Sequence, residues 1–180
     1  ILIKMAKKSF KEAFLVANKV VVENNELKSQ LVQKGFGEKQ ETGELVLDLK
    51  EAVYLLDNKK IGVSKDGKKV SKKGLLETGQ KKEAKFYSKY LVYSDLRKRG
   101  FVVKTGFKFG FDFRVYPKGK KAGQAHSQWV INVATQDNRI SMPELSRMVR
   151  LSGNIRTTLL QAVVDSENDI NYYSMERITP

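Results

Sequence analysis

The stretch YLVYSDLRKRGFVVKTGFKFGFDFRVY, residues 90–116, passes from a helix into strands and sets the architecture of everything around it. Just upstream and within it, Phe86, Tyr90 and Tyr93 step by four and three, the spacing of one helical face. Arg97 and Lys98 then fall in a last turn before Gly100, and both the cations and the glycine suit the negative C-terminal end of a helix. FVVKTG and KFGFDFRVYP follow as strands. Further out, SQWVINVAT (127–135) reads as another strand, and SMPELSRMVRLSGNIR (141–156) as a helix entered through Ser141 with Glu144 three residues later. LLQAVVD (159–165) is a nearly all-apolar run, as expected of a strand buried on both faces, and DINYYSMERI (169–178) closes the set. The pattern predicts a mixed sheet flanked by a helix on each side.

Towards the N-terminus the elements are shorter. KVVVENN (19–25) is a β-branched run closed by Asn-Asn. LVLDLKEAVYLLDNKK (45–60) puts Leu49, Val53 and Leu56 near one helical stripe, and IGVSKDGKKV (61–70) alternates around an Asp-Gly turn. From Lys72 the chain is read as a connection that becomes helical after Gly79. The fold class expected is α+β: a small mixed α/β domain over 1–80, then an α/β domain over 81–180 with a mixed sheet flanked by helices.

Charge narrows the partners. Of 180 residues, 34 are Lys or Arg and 20 are Asp or Glu, a formal net charge of +14. The excess is +7 both before and after Phe86, with 19 basic against 12 acidic residues in the first part and 15 against 8 in the second. All 19 in the first part are Lys, whereas the second holds eight Arg, whose planar fork suits phosphates and bases. A basic surface of this kind points to nucleic acid and places the working face in the second half. The absence of cysteine removes disulfides, thiolate zinc sites and cysteine nucleophiles, and a single histidine argues against a histidine-based metal site. Neither metal nor cofactor is expected. No apolar run approaches the roughly 18 residues needed to span a bilayer, so the expected location is cytoplasmic, with no membrane partner.

The single histidine, His126, stands ten residues after Tyr116 across a Gly/Lys loop that carries Lys118, Lys120 and Lys121. A phenol and an imidazole on opposite arms of a loop are competent proton-transfer groups if they converge; otherwise Tyr116 merely finishes one strand and His126 begins the next. Arg147, Arg150 and Arg156 lie on the 144–158 helix, as a solvated face or a phosphate-binding one. Asp165, Glu167 and Asp169 form the acidic cluster of a basic half, either as a polar turn or as a loop drawn to a basic patch on another subunit. GFKFGF is not a dinucleotide fingerprint, because no helix follows its glycines.

From Tyr90 to Ser127, and again through RMVRLSGNIRTTLLQAVVD and INYYSMERI, the chain closely resembles the C-terminal domain of the archaeal tRNA-intron splicing endonucleases. The resemblance implies removal of introns from precursor tRNA at a bulge-helix-bulge fold. The ribose 2′-hydroxyl attacks the adjacent phosphate, leaving a 2′,3′-cyclic phosphate and a 5′-hydroxyl. It implies that Tyr116 is the general base and His126 the general acid, that Arg150 stacks on a bulge base, and that Asp165, Glu167 and Asp169 dock subunits together. Lys118, Lys120, Lys121 and Arg147, read from their charge, and Tyr172, which could still stack, are the further RNA-binding candidates.

Two positions depart from the family. Where it reads HSVRKK, this chain reads GNIRTT, so Thr157 replaces a lysine that would stabilise the phosphorane, and Arg156 is the nearby cation. Tyr172 replaces a second base-stacking arginine. Two roles therefore stay open: a cleaving subunit, partnered by copies of itself, or a structural subunit paired with a paralogous catalytic one. A plain RNA-binding module is the reading from outside the family.

Overall fold

In a computed structural model of the chain, the residues described are 11–106, 110–120, 123 and 125–178. The chain divides into two compact units, Ile1–Glu83 and Ala84–Pro180.

Among the described residues, the first unit runs β1 (Glu12–Val16), β2 (Lys19–Val22), α1 (Asn25–Gln33), β3 (Glu38–Lys39), β4 (Leu45–Leu47), α2 (Leu49–Asp57), β5 (Gly62–Lys65), β6 (Lys68–Lys69) and α3 (Lys72–Lys82). Its sheet has the order β3-β4-β2-β1-β5-β6, antiparallel except for the parallel pair β1–β5. The Asp-Gly turn closes β5–β6 with Asp66 and Gly67 both at positive φ, as a tight hairpin requires.

Three sequence expectations change here. Asn24 does not simply end a strand: its side chain accepts from the Leu27 amide and starts α1. The buried stripe of α2 includes Leu49, Val53 and Leu55, and Leu56 is only half-buried. Helix α3 begins at Lys72 and not after Gly79, because Ser71 accepts from the Gly74 amide and caps it. Gly74 and Gly79 both lie inside that helix, and its packing against α2 outweighs their low helix propensity.

The second unit runs α4 (Phe86–Lys98), β7 (Val102–Thr105), β8 (Phe113–Tyr116), β9 (Trp129–Thr135), α5 (Met142–Asn154), β10 (Thr158–Val164) and β11 (Ile170–Met175). The sheet order is β11-β10-β9-β8-β7, and only β9–β10 is parallel. The second strand of the opening stretch is shorter than expected. It starts at Phe113, since residues 110–112 form a turn and bend; residues 107–109 lie outside the described set. Gly106 permits that turn, because a Cβ there would stand 2.6 Å from the Phe111 carbonyl oxygen.

Alternation along each strand sorts the core into two faces. Phe113, fully buried and paired with Ile131, packs its ring 6.0 Å from that of Tyr93 on α4. On the other face Phe111, Val130, Leu159 and Met148 of α5 form a cluster. The mixed sheet with a helix on each face is thus as expected.

Helices α4 and α5 end alike. In α4 the Gly100 amide donates to the Arg97 carbonyl and the Phe101 amide to Leu96, with Gly100 at φ +90. In α5 the Arg156 amide donates to Gly153 and the Thr157 amide to Ser152. This is the Schellman arrangement, which asks for a left-handed residue. In α5 that residue is Arg156, at φ +55. Arg156 is therefore not on the helix with Arg147 and Arg150, as the sequence suggested; the helix stops at Asn154.

Candidate functional site

Register sets two of the candidate residues, Tyr116 and Thr157, at one end of the second sheet. Val115 pairs with Trp129, and Trp129 pairs with Thr158. The ladder continues one step outward: the Gln128 amide donates to the Val115 carbonyl at 2.8 Å and the Thr158 amide to the Gln128 carbonyl at 3.4 Å. Tyr116, Gln128 and Thr157 therefore lie in one row across the strand ends, with His126 two residues before Gln128. Neighbouring strands are about 4.8 Å apart, so the row from Tyr116 to Thr157 covers about 10 Å. A loop of nine residues separates Tyr116 from His126 in sequence, and strand pairing returns the chain to the same edge.

Tyr116 is the last residue of β8, 4% exposed, and its hydroxyl makes no hydrogen bond to a described residue. His126 is exposed. Thr157 is half-buried, and its hydroxyl donates to the Ser152 carbonyl at 3.2 Å, as its amide also does. The Thr157 proton is committed to closing α5. Arg156 beside it is exposed.

Beyond this row, Arg147 and Arg150 share a cleft of about 580 Å³ with Arg177, along α5 and the end of the chain's last strand. Val149 and Leu151 give it an apolar lining. None of the three arginines forms an ion pair or side-chain hydrogen bond with a described residue. Arg177 was not singled out from the sequence; the signal for it is the β10–β11 register, which a linear reading does not contain. In the loop, Lys118 holds its ammonium 5.3 Å from the centre of the Phe101 ring, which packs edge-on against Trp129. Lys120 is exposed, and Lys121 lies outside the described residues.

Tyr172 stands apart from the cleft. It pairs with Ala162 on the α4 face of the sheet, where its hydroxyl donates to Asp95 Oδ2 at 2.8 Å. The same oxygen takes a 2.8 Å bond from Arg99 Nε, and the Arg99 guanidinium lies 5.9 Å from the Tyr172 ring centre. Burial, then the hydrogen bond to Asp95 and its charge, push the phenol far above its ordinary range, against the opposing charge of Arg99. The folded state thus holds this proton more tightly than the unfolded chain does, so its contribution is complete below about pH 10 and declines above it. Tyr172→Phe is expected to cost about 1–2 kcal/mol. Urea unfolding at pH 8 should read that loss, and the gap between variant and parent should narrow at pH 11. An unchanged midpoint at pH 8 would show that the bond contributes nothing.

The acidic residues follow the opposite end of β10, with Asp165 eight residues and about 26 Å from Thr157. Asp165 Oδ1 accepts from the Glu167 and Asp169 amides at 2.9 Å each, so this carboxylate builds the turn. Glu167 and Asp169 are exposed.

A phenol at one end of the mixed sheet, an imidazole on the loop that returns to that end, and arginines in the cleft along α5 are residue types suited to acid–base chemistry on an anionic substrate. Comparison with known proteins gives that site a lineage. Residues 86–172 match the family model of the tRNA intron endonuclease catalytic C-terminal domain, and residues 11–76 that of the tRNA intron endonuclease N-terminal domain. A tRNA-splicing endonuclease of Thermococcus onnurineus is 42% identical over 148 residues, covering 82% of this chain and 85% of its own. One from Methanothermobacter thermautotrophicus is 40% identical over 136 residues, 76% and 79% of the two chains, and one from Pyrococcus furiosus is 36% identical over 166 residues, 92% and 95%. The chain belongs to the tRNA intron endonuclease family. No helix among its described residues is long and apolar enough to cross a membrane.

Proposed function

We propose that this chain is a subunit of a tRNA-splicing endonuclease that cleaves precursor tRNA at the bulge-helix-bulge boundaries of its intron. The observation that supports the reading is the row at the sheet end, where pairing sets Tyr116, Gln128 and Thr157 level and His126 lies two residues before Gln128 in the chain. Tyr116 takes the proton of the 2′-hydroxyl as its oxygen bonds to phosphorus. The bond from phosphorus to the 5′-oxygen breaks, and His126 delivers a proton to that oxygen. The products are a 2′,3′-cyclic phosphate and a 5′-hydroxyl; water resets both side chains. Arg150 and Arg147 on the α5 cleft bind the RNA, as planar cations suit unpaired bases and phosphates, and Lys118, Lys120 and Lys121 hold the backbone from the loop. Glu167 and Asp169, presented by the Asp165 turn, dock on a basic face of a second subunit. That subunit is another copy or a paralogue.

One observation favours a second reading. The Thr157 hydroxyl is engaged with Ser152, so this position supplies no charge to the phosphate, as befits a structural subunit beside a lysine-bearing catalytic one. The test is to incubate the purified chain with an intron-containing precursor tRNA in the presence of EDTA. Cleavage at both boundaries with cyclic-phosphate ends is the expected result. Cleavage only after a lysine-bearing paralogue is added would establish the structural role, and no cleavage in either case would refute the assignment.

A further inference from the structure

The β5–β6 hairpin, at one edge of the first unit's sheet, stands in a dense run of cations. Residues 59–73 hold seven lysines against one acidic residue, Asp66. All seven lysines are exposed. Two of them are engaged: Lys72 bonds Asp57 at 2.8 Å, and Lys73 lies 4.0 Å from Glu77. Lys59, Lys60, Lys65, Lys68 and Lys69 form no ion pair with a described residue, Asp66 included.

Pairing fixes where these cations stand. Lys65 lies directly opposite Lys68 beside the two-residue turn, and Lys69 opposite Ser64. The Val70 amide donates to the Val63 carbonyl at 2.8 Å, and the buried Val63 ties the hairpin to the core. Lys59 and Lys60 stand at the base of the hairpin, just after α2, and Lys72 and Lys73 begin α3 there. Three residues of strand, about 10 Å, separate base from tip.

Stability does not ask for this arrangement. Like charges directly opposite each other on paired strands repel. Lys59 holds φ +55 at the end of α2, a position that favours glycine. The dipole of α2 accounts for cations at 59 and 60, but its influence fades within one turn and does not reach Lys65 and Lys68. A polyanion laid along the edge relieves the repulsion.

The surface suits nucleic acid better than protein. Protein interfaces deplete lysine and bury an apolar or aromatic centre. Among the described residues of the first unit a single large apolar side chain is exposed, Val16, too little for such a centre. Paired RNA is held by its phosphates and 2′-hydroxyls, with few base edges within reach, and lysine binds phosphate as a point charge. A duplex carries about one charge per 1.7 Å of axis, so an edge of about 10 Å faces on the order of six phosphates.

We propose that the β5–β6 hairpin is a docking surface for base-paired RNA, its lysines contacting the phosphate backbone without regard to sequence. In the function proposed above, that RNA is the helical part of precursor tRNA.

The experiment measures filter binding of the full chain, in the assembly it forms, to a perfectly paired RNA duplex and to precursor tRNA over a range of salt. Lys65→Gln, Lys68→Gln and Lys69→Gln are combined in one variant, and the same three positions carry Arg in a second. A third variant combines Lys39→Gln, Lys81→Gln and Lys82→Gln, removing equal charge from the opposite edge of the sheet and the far end of α3. The hairpin glutamine variant should bind both RNAs about 10- to 100-fold more weakly, and its slope of log affinity against log salt should flatten by about two to three, since each lost phosphate contact removes about 0.9. The arginine variant should bind like the parent, and the third variant should keep most of the affinity. The saturated cleavage rate should not change, because the hairpin lies outside the Tyr116 row. Parental affinity and slope in the hairpin glutamine variant overturn the proposal; if its oligomer also falls apart in light scattering, the lysines meet an acidic protein face instead. An equal fall in the third variant overturns it too, since net charge and not this hairpin would then bind. A parent that cleaves precursor but is indifferent to the hairpin fails the proposal alone. A parent that cleaves nothing in any assembly, yet binds duplex through these lysines, fails the endonuclease reading alone.

Discussion

His126→Ala should lower precursor tRNA cleavage by about 10²- to 10⁴-fold, and Tyr116→Phe by a similar factor, the range typical of losing one positioned proton-transfer group. Neither change should disturb the fold. His126 is exposed, and Phe in place of Tyr116 keeps the buried ring and removes a hydroxyl that bonds no described residue. RNA affinity should therefore stay near the parental value while the chemical step falls. Leaving-group chemistry separates the two. A substrate whose 5′-oxygen is replaced by sulfur needs no protonation to depart, so it should restore the rate of His126→Ala and leave Tyr116→Phe slow. If sulfur rescues neither variant, or rescues both, the acid and base are not assigned as proposed. Equal losses of affinity and rate would instead mean that these residues only hold RNA.

What could be read from the sequence was whatever local chemistry determines. The α4 end is set by Gly100 and the cations before it, and the α5 start by Ser141, whose side chain accepts from the Glu144 amide. Both were legible because a cap is a contact between near neighbours. The start of α3 was obscured by its own glycines, although Ser71 carried the same kind of signal as Ser141. Asn24 was ambiguous in principle, since asparagine serves turns and helix starts equally well. Arg156 looked helical because the 3.6-residue rhythm continues through it; only the left-handed backbone, unusual for a non-glycine, ends the helix one turn sooner.

The site divides in the same way. Tyr116 and His126 could be picked out as chemistry, but that β8, β9 and β10 share one end is a consequence of pairing across tens of residues. Tyr172 was read for its aromatic ring, whereas strand alternation turns it towards Asp95 and Arg99, away from the cleft. Arg177 was not singled out, and the fold sets it in the cleft with Arg147 and Arg150. One residue of slip in the β10–β11 pairing would exchange the two faces of the last strand. The placement of the candidate residues is therefore carried by register more than by motif.

Thr157→Lys tests whether the row at the sheet end is short of charge. Stability should change little. The variant loses the hydroxyl bond to Ser152, about 1 kcal/mol, and gains an ammonium near the C-terminal end of α5, worth about 0.3–1 kcal/mol against the helix dipole. The backbone amide of residue 157 still closes the helix on Ser152. Activity is where the effect falls. Position 157 lies one strand from Gln128, which is itself one strand from Tyr116. A cation there acts at short range on the developing phosphorane. We expect the cleavage rate to rise about 100-fold, the lower end of the range for a charged donor at such a site. The rise should appear in the saturated single-turnover rate and not in RNA affinity, and it should vanish when His126→Ala is added, since a better-stabilised phosphorane still needs its leaving oxygen protonated. A gain that survives the loss of His126 would show that the new lysine supplies the proton itself. An unchanged rate would show that Thr157 does not face the reacting phosphate and that the row ends at Gln128.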